Sequence, residues 1–291
     1  MQSSTRRPGI DKRMNPTQET KTSPHIAFIG GGNMASAIIS GLIKQGHPAT
    51  EISVVDPSAE AAARLTAHHP VKVASLPGPA LAQAQMVVWA VKPQHFKEAA
   101  LQSRFHTRHA LHLSIAAGIP TRSIAGWLGS ERVIRAMPNT PALVGRGMSG
   151  LFAMPGVNAA DREWAETVLS AVGERLWVDT EDQLDAVTAL SGSGPAYVFY
   201  FLEAMTEAGS GMGLSRDQSY HLAVATFVGA SRLAQVSDEP PEILRQRVTS
   251  KGGTTYAAVT SMEQDNVKTL FVRAIHAARQ RARELGEEYG G

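Results

Sequence analysis

Short apolar runs alternate with helix-like segments up to residue 180 of the chain. The run MVVWAV at 86–91 has no polar position, which is the pattern of a central parallel strand covered on both faces. The predicted strands are 25–29, 52–55, 71–74, 86–91, 110–115, 132–136, 147–153 and 175–178, and the predicted helices begin at 33 and span 59–67, 76–84, 95–103 and 159–172. This alternation predicts a doubly wound α/β domain over residues 25–180.

The pattern becomes helical after residue 180, and no convincing strand follows. The predicted helices are 195–211, 215–236, 242–248, 254–262 and 266–285. The first of them is apolar on most faces, which is typical of a helix that is buried, often against another subunit. We therefore predict an all-α domain over 181–291 that dimerises; a self-contained helical core is the alternative.

A glycine turn joins the first predicted strand to the first predicted helix. Gly30, Gly32 and Ala35 fit the pattern G-x-G-x-x-[GA] in the required context of strand, turn and helix. Gly30 permits a sharp turn, and Gly32 has no side chain, so that a pyrophosphate approaches the backbone at the start of the helix. The alternative is an ordinary tight turn. The motif predicts a Rossmann-like dinucleotide-binding domain.

The second predicted strand ends at Asp56, some twenty-odd residues after the glycine turn. An acidic residue there normally accepts hydrogen bonds from the ribose hydroxyls of NAD and repels the 2′-phosphate of NADP. Ser58 follows closely and has a hydroxyl that suits a phosphate. Asp56 is equally suited to cap the next helix. The sequence leaves the choice between NAD(H) and NADP(H) open.

Two further strand ends carry candidate cofactor residues. Lys92 directly follows the apolar run 86–91, and strand C-termini form the ligand crevice in sheets of this kind. The alternative is a solvated surface lysine. Ala116, Ala117 and Gly118 follow the predicted strand 110–115, and their small size leaves room for a nicotinamide ring.

Two glycine-rich turns are predicted in the helical domain, at 191–195 and 250–255, each directly before a helix. The second combines free N–H groups, hydroxyls and Lys251, so it resembles a nest for an anion such as a substrate carboxylate. A plain interhelical turn is the alternative.

Composition excludes several classes of protein. The 291 residues are 43% hydrophobic and 19% charged, as in a soluble globular protein with room for two domains. The chain has no cysteine, so disulfides and thiolate chemistry are excluded. Residues 1–24 hold the basic excess, which argues against nucleic acid as a partner, and we predict that they form a disordered extension. No apolar run is long enough for a bilayer, and a cytoplasmic location is expected.

The histidine and lysine positions bear on the chemistry. His106, His109 and His112 cross from a loop into a strand, so no metal site is expected. No lysine lies between Lys97 and Lys251, although the related hydroxy-acid dehydrogenases use one after the nucleotide domain as general acid. An imine, which can be protonated near neutral pH in solution, fits this chain better as substrate.

Several segments between residues 25 and 285 together resemble those of the pyrroline-5-carboxylate reductase family. The matching segments are FIGGGNMASAI at 28–38, AVKPQ at 90–94, SIAAGI at 114–119, RAMPNTPALVGRGM at 135–148, DAVTALSGSGPAYVF at 185–199 and VTSKGGTTYAAV at 248–259. The resemblance implies reduction of L-1-pyrroline-5-carboxylate to L-proline with NADPH or NADH. It also implies a helical domain that interlocks with a second subunit, as a homodimer or a homodecamer.

The resemblance also implies roles for particular residues. The pyrophosphate is expected at Ile29, Gly30, Gly31, Gly32, Asn33 and Met34; the rest of the cofactor at Ala90, Val91, Lys92, Pro93, Ala116, Ala117 and Gly118; the substrate at Ser250, Gly253, Thr254 and Thr255, with Glu181 approaching the site. Thr255 is the candidate catalytic residue, near the imine nitrogen.

Two residues depart from the family pattern. Lys251 stands where many members have proline, and Asp56 stands where serine, threonine or arginine accompanies a preference for NADPH. Another imine or oxo-acid reductase and a non-catalytic nucleotide sensor remain as rival interpretations.

Overall fold

The computed structural model describes residues 23–291, so residues 1–22, which hold nearly all of the predicted disordered extension, lie outside the described residues. Within the described residues, eight strands form one sheet: β1 (Ile26–Ile29), β2 (Ile52–Val55), β3 (Lys72–Ala74), β4 (Met86–Trp89), β5 (Leu111–Ser114), β6 (Val133–Met137), β7 (Gly147–Ala153) and β8 (Gly173–Trp177). Their order across the sheet is β3-β2-β1-β4-β5-β6-β7-β8.

The sheet is doubly wound, as predicted. Strands β1 to β6 are parallel, β7 runs antiparallel to β6, and β8 is parallel to β7. The order reverses between β1 and β4, where Ile26 pairs with both Ile52 and Met86. In open α/β sheets the ligand crevice lies at such a switch point, beyond the carboxyl ends of the strands. The topology thus places the candidate site at the ends of β1, β2, β4 and β5.

Helices cover the sheet and then form a separate unit. The helices are α1 (Asn33–Lys44), α2 (Ala59–His68), α3 (Pro93–Ser103), α4 (Thr121–Leu128), α5 (Ala159–Ser170), α6 (Gln183–Val187), α7 (Gly194–Gly211), α8 (Arg216–Val236), α9 (Pro241–Arg247), α10 (Thr254–Gln264) and α11 (Val267–Tyr289). The first five lie around the sheet, and α6 to α11 make the helical domain. Among the described residues, no helix is both long and apolar enough to cross a membrane.

The central strands are apolar at every position because the sheet has a hydrophobic core on each face. Ile26 and Phe28 of β1 pack into one core with α1, while Ala27 and Ile29 pack into the other, with Trp89 and α3. Successive strand side chains point to opposite faces, so a strand covered on both faces needs apolar residues at every position.

The helical domain does not close its own apolar surface. Helices α7 and α8 pack side by side, and α11 packs against the segment that precedes α7. Yet Phe199 and Tyr200 of α7 and Val228 of α8 are largely exposed in the single chain. An exposed apolar face of this extent marks an interaction surface.

Three local predictions were wrong. Residues 76–84 form only a short 3₁₀ segment at Pro79–Gln83, because Leu81 is its one buried side chain. Helix α4 was missed, although Ile124 and Leu128 give it a buried face. The predicted turn at 191–195 does not exist either, since the chain runs from α6 through a π-helical segment, Thr188–Gly192, into α7.

Candidate active site

The glycine turn is held between the ends of β2 and β4. Gly30 has a φ of 98°, and its N–H donates to the carbonyl of Val55 at 2.8 Å. A Cβ on Gly30 would lie 2.6 Å from the carbonyl oxygen of Ala90. The left-handed backbone and the close approach both require glycine here.

The start of α1 is open and fits a pyrophosphate. Gly32 is the N-cap residue, no side chain caps the helix, and its first turn has no acidic residue. A Cβ on Gly32 would meet nothing within 4 Å. The first N–H groups of α1 at Asn33 and Met34 have no intrahelical acceptors, and the positive end of the helix dipole adds to their attraction for an anion.

Asp56 supports the glycine turn directly. Its Oδ2 accepts a hydrogen bond of 2.6 Å from the N–H of Gly31, and its Oδ1 accepts one of 2.8 Å from the N–H of Ser58. The alternative that Asp56 caps α2 is wrong, because Ser58 is the N-cap and its Oγ accepts from the N–H of Ala61. The carboxylate therefore lies where a cofactor ribose would reach the end of β2.

The ends of β4 and β5 form the next part of the crevice. Ala90 N–H donates to the carbonyl of Ile29 at 2.8 Å, which ties β4 to the glycine turn. Val91 and Pro93 are half-buried, and Lys92 is an exposed N-cap of α3. The structure brings these residues together with the glycine turn and Asp56, as the sequence predicted.

The small residues after β5 are backed by the C-terminal helix. Ala116 is buried, Ala117 is half-buried, and Gly118 is buried with a φ of 82°. A Cβ on Gly118 would lie 3.1 Å from the Cβ of Leu285 on α11. This close packing joins the loop to the helical domain.

Glu181 lies at the junction of the two domains and already has protein partners. Its Oε1 accepts from the Thr121 N–H at 2.7 Å and from Arg135 at 3.1 Å, and its Oε2 accepts from the Thr121 hydroxyl at 2.6 Å. Burial raises the pKa of the neighbouring Asp185, and Arg135 opposes that shift. The predicted approach of Glu181 to the substrate stays a prediction.

Asn139 connects two segments of the sequence resemblance and was missed as a candidate. Its Nδ2 donates to the carbonyl and the hydroxyl of Ser191, both at 3.2 Å, and its Oδ1 accepts from the Met148 N–H at 2.8 Å. The signal was present, since an amide stands between two prolines in a loop that follows a buried strand. Asn139 holds this loop against the π-helical segment.

The predicted substrate loop is a solvent-facing turn in the single chain. Gly252 has a φ of 77°, and Gly253 N–H donates to the carbonyl of Ser250 at 3.0 Å. Gly253 is the N-cap of α10, without a side-chain cap, and Ser250 and Thr254 are exposed while Thr255 is half-buried. The loop thus turns directly into the uncapped start of an 11-residue helix. That this turn binds an anion stays a prediction.

His112 is a core residue of β5. Its Nδ1 accepts a hydrogen bond of 3.2 Å from Trp89 Nε1, and its side chain is fully buried. Burial lowers the pKa of His112 to about 3, and the nearby charge of Arg132 acts in the same direction. The imidazole is therefore neutral at physiological pH and serves the packing of the sheet.

Family models match both domains of the chain. Residues 181–285 match the model for pyrroline-5-carboxylate reductase dimerisation, and residues 25–118 match the model for NADP oxidoreductase, coenzyme F420-dependent. The first of these matches begins where the helical domain begins, and the second covers the strands β1 to β5 of the sheet domain.

Individual proteins match over nearly the whole chain. A pyrroline-5-carboxylate reductase of Pseudomonas aeruginosa is 47% identical over 272 residues, which cover 92% of this chain and 99% of the relative. The solved structure of a pyrroline-5-carboxylate reductase from Coxiella burnetii has a TM-score of 0.84 at 39% identity, covering 90% of this chain and 98% of its own. The Plasmodium falciparum pyrroline carboxylate reductase, solved with NADP bound, has a TM-score of 0.82 at 28% identity and covers 91% of this chain and 99% of its own. The chain belongs to the pyrroline-5-carboxylate reductase family.

Proposed function

We propose that this chain reduces the carbon–nitrogen double bond of L-1-pyrroline-5-carboxylate to give L-proline, the last step of proline biosynthesis. The observation that carries the proposal is the glycine turn, where Gly30, Asp56 and the open start of α1 form a dinucleotide site in a chain of this family. NADPH or NADH, when bound, supplies the hydride for the imine carbon.

The cofactor half of the site is built by the sheet. Residues 29–34 bind the pyrophosphate, and Asp56 and Ser58 contact the adenosine ribose. Residues 90–93 and 116–118 line the nicotinamide side, where the small side chains after β5 leave space for the ring. This assignment agrees with the position of the switch point between β1 and β4.

The substrate half of the site is built by the helical domain. The N–H groups at the start of α10 bind the substrate carboxylate, together with the hydroxyls of Ser250, Thr254 and Thr255. Fixing the carboxylate orients the ring and places the imine nitrogen near the Thr255 hydroxyl, which orients it or relays a proton. The rate gain comes mainly from positioning and from the exclusion of water.

The substrate loop acts across a subunit interface. Residues 250–255 lie at the surface of the single chain, and the hydrogen bonds that shape the loop stay within it and α10. The exposed apolar faces of α7 and α8 supply the surface for a second copy. We therefore assign the working unit to a homodimer; a homodecamer built from such dimers stays a prediction from the resemblance. A cytoplasmic location also stays a prediction, one with which the cysteine-free sequence is compatible.

The test is the oxidation of NADPH and NADH by the pure protein, with and without L-1-pyrroline-5-carboxylate. Oxidation that depends on the substrate, with proline as product, supports the proposal. Nucleotide binding without turnover contradicts it. A panel of other cyclic imines and oxo acids then separates a reductase of different specificity from a protein that only binds nucleotides.

A further inference from the structure

The loop that joins β5 to α4, residues 115–120, is fixed to the sheet at its first end. Ile115 N–H donates to the carbonyl of Trp89 at 3.0 Å, and Ala116 N–H donates to the Ser114 hydroxyl at 3.3 Å. The loop contains Ala116, Ala117 and Gly118, which the proposed function places beside the nicotinamide ring. Its exact path therefore affects the hydride transfer.

The other end of the loop is held by a residue of the helical domain. Thr121 begins α4, and both its N–H and its hydroxyl donate to the carboxylate of Glu181. The N–H belongs to the first turn of α4, where backbone donors lack intrahelical acceptors. Glu181 precedes α6, so one carboxylate connects the helical domain to the end of the loop.

Arg135 also pairs with the Glu181 carboxylate and orients it. It lies in β6, in register with Ser114 of β5, and only 4% of its side chain is exposed. Its Nη1 donates to Glu181 at 3.1 Å, and its Nη2 lies 3.8 Å from Asp185 without a hydrogen bond. Burying a guanidinium is costly unless it is paired. Moving the Glu181 carboxylate away would leave this guanidinium buried without its partner, so the pairing fixes the position of the carboxylate.

The C-terminal helix, α11, also contacts the loop 115–120. Leu285 and Gly286 of α11 approach the position of a Cβ on Gly118 to 3.1 and 3.4 Å. The Ser123 hydroxyl on α4 donates to the carbonyl of Gly290. The helical domain therefore contacts the loop at its middle, at Gly118, and at its end, at Thr121.

From these contacts we infer that Glu181 is a positioning residue, held by Arg135, which fixes residues 116–118 so that the nicotinamide ring meets the substrate. This inference rests on the proposed function. It differs from the sequence prediction of a direct contact between Glu181 and the substrate, because both carboxylate oxygens are engaged by Thr121 and Arg135.

The test is the variant Glu181→Gln, measured for turnover and for binding of NADH and of ADP-ribose. The amide keeps one acceptor oxygen but replaces the other with an N–H₂ group and removes the charge that pairs with Arg135, so the anchor of the loop weakens. We expect kcat to fall at least tenfold and the Kd for NADH to rise several-fold. The Kd for ADP-ribose, which lacks the nicotinamide, stays within twofold, because the adenosine half binds at β1 and β2.

A matched control is Asp161→Asn, which breaks another carboxylate–arginine pair, one that lies wholly within the sheet domain. Asp161 is bonded to Arg132 at 2.6 and 3.2 Å and belongs to the capping box of α5, away from the loop. We expect Asp161→Asn to lower stability but to leave kcat, and the ratio of the Kd for NADH to the Kd for ADP-ribose, unchanged. Thr121→Val provides a milder second variant, since it removes the hydroxyl bond alone; it shifts kcat in the same direction by a smaller factor.

Three results would overturn the inference. An unchanged kcat in Glu181→Gln excludes a role in the loop. A raised KM for the substrate with normal kcat and normal NADH binding makes Glu181 a substrate ligand instead. Equal loss of NADH and ADP-ribose binding makes its role one of general stability. The binding measurements need no turnover, so they test the loop even if the proposed substrate proves wrong.

Discussion

Two glycines with almost the same φ show how the surroundings of a residue decide its role. Gly30 has a φ of 98° and Gly46 one of 93°, but a Cβ on Gly30 meets the Ala90 carbonyl whereas one on Gly46 meets nothing within 4 Å. Both incur the cost of a left-handed backbone when they are replaced by alanine. Of the two, only Gly30 adds a clash, with the Ala90 carbonyl beside the proposed cofactor site.

We predict that Gly30→Ala lowers the affinity for NADPH and NADH more than tenfold. The Ala90 carbonyl must move, and Ala90 lines the same crevice. Gly46→Ala, the control, costs about 1–2 kcal/mol of stability and leaves cofactor binding unchanged. Cofactor titration followed by protein fluorescence and thermal unfolding measure the two effects. Equal losses of affinity in both variants would contradict the prediction.

Asp56 supports the glycine turn, and its charge is expected to set the cofactor preference. We predict that Asp56→Ser raises the ratio of kcat/KM for NADPH to that for NADH about tenfold, or about 1.4 kcal/mol, because it removes the negative charge that repels the 2′-phosphate. Absolute affinity for both cofactors falls, since the bond to Gly31 weakens. Steady-state kinetics with each cofactor give the ratio. Glu60→Gln, which removes an exposed charge from α2, is the control. An unchanged ratio in Asp56→Ser would show that this carboxylate does not select the cofactor.

Thr255 is expected to act on the substrate and not on the cofactor. We predict that Thr255→Ala lowers kcat/KM for L-1-pyrroline-5-carboxylate by about tenfold or more, in the range of a lost polar contact to a charged or reacting group, while the Kd for NADPH is unchanged. Thr249→Ala is the control, because the Thr249 hydroxyl donates to the Arg245 carbonyl of the preceding helix, α9, at 2.6 Å. Normal turnover and substrate affinity in Thr255→Ala would exclude the role.

Strand β5 places a titratable side chain, His112, in the core of the sheet domain. His112 is neutral in the folded state because burial lowers its pKa to about 3, whereas the unfolded chain binds a proton near pH 6.5. The associated stability is fully present above pH 6.5 and is lost as the pH falls towards 3, by up to about 1.4 kcal/mol per pH unit.

We predict that His112→Gln reduces the acid-side slope of the unfolding free energy, whatever its effect at neutral pH. Urea unfolding at several pH values between 4 and 7 gives the slope. His109→Gln, at an exposed position three residues earlier, controls for the general loss of an imidazole. A slope equal to that of the unchanged chain would mean that His112 does not contribute to acid sensitivity.

Most elements followed from periodicity, and those that did not have definite reasons. The strands were predictable because a short, continuous apolar run such as MVVW favours a strand that is covered on both faces. Helix α4 was missed because Thr, Ser and Gly dilute its apolar face. A turn was predicted at the end of the π-helical segment Thr188–Gly192 because SGSGP has turn composition, and only the packing of this segment against Met137 and Asn139 favours a helix.

The candidate site was predictable where a motif has a local physical meaning. The glycine turn, Asp56 and the strand ends meet as expected, since their spacing encodes one βαβ crevice. The junction of Glu181, Thr121 and Arg135 was not predictable, because its members are separated by 46 and 60 positions. A buried arginine within the strand VIRAM was the only local sign.

At the scale of the whole molecule, the helical domain requires a partner for its apolar surface. Val198, Phe199, Tyr200 and Val228 lie on helices whose family model is named for dimerisation. Burying such a face yields about 25 cal/mol for each Å² of apolar surface. Oligomerisation therefore completes the fold, and under the proposed function it also brings the substrate loop to its partner.

We predict that Phe199→Glu shifts the protein towards a smaller species and reduces turnover, because a charge in the interface opposes association and separates the substrate loop from its partner. Light scattering coupled to gel filtration measures the mass. Leu76→Glu, at an exposed apolar position of the sheet domain, is the control and changes neither mass nor turnover. An unchanged mass in Phe199→Glu would place the interface elsewhere.

The central position of β1 also bears on how the chain folds during synthesis. Of the strands in residues 23–291 it is the first to be made, yet Ile26 pairs on one side with Ile52 and on the other with Met86, about 60 positions later. Until β4 leaves the ribosome, one edge of β1 has no partner, and an unpaired apolar strand is prone to aggregate. Since elongation proceeds at about 5–20 residues per second, that edge stays exposed for several seconds. Chaperone demand should therefore peak before the sheet domain is half made, well ahead of any assembly of subunits.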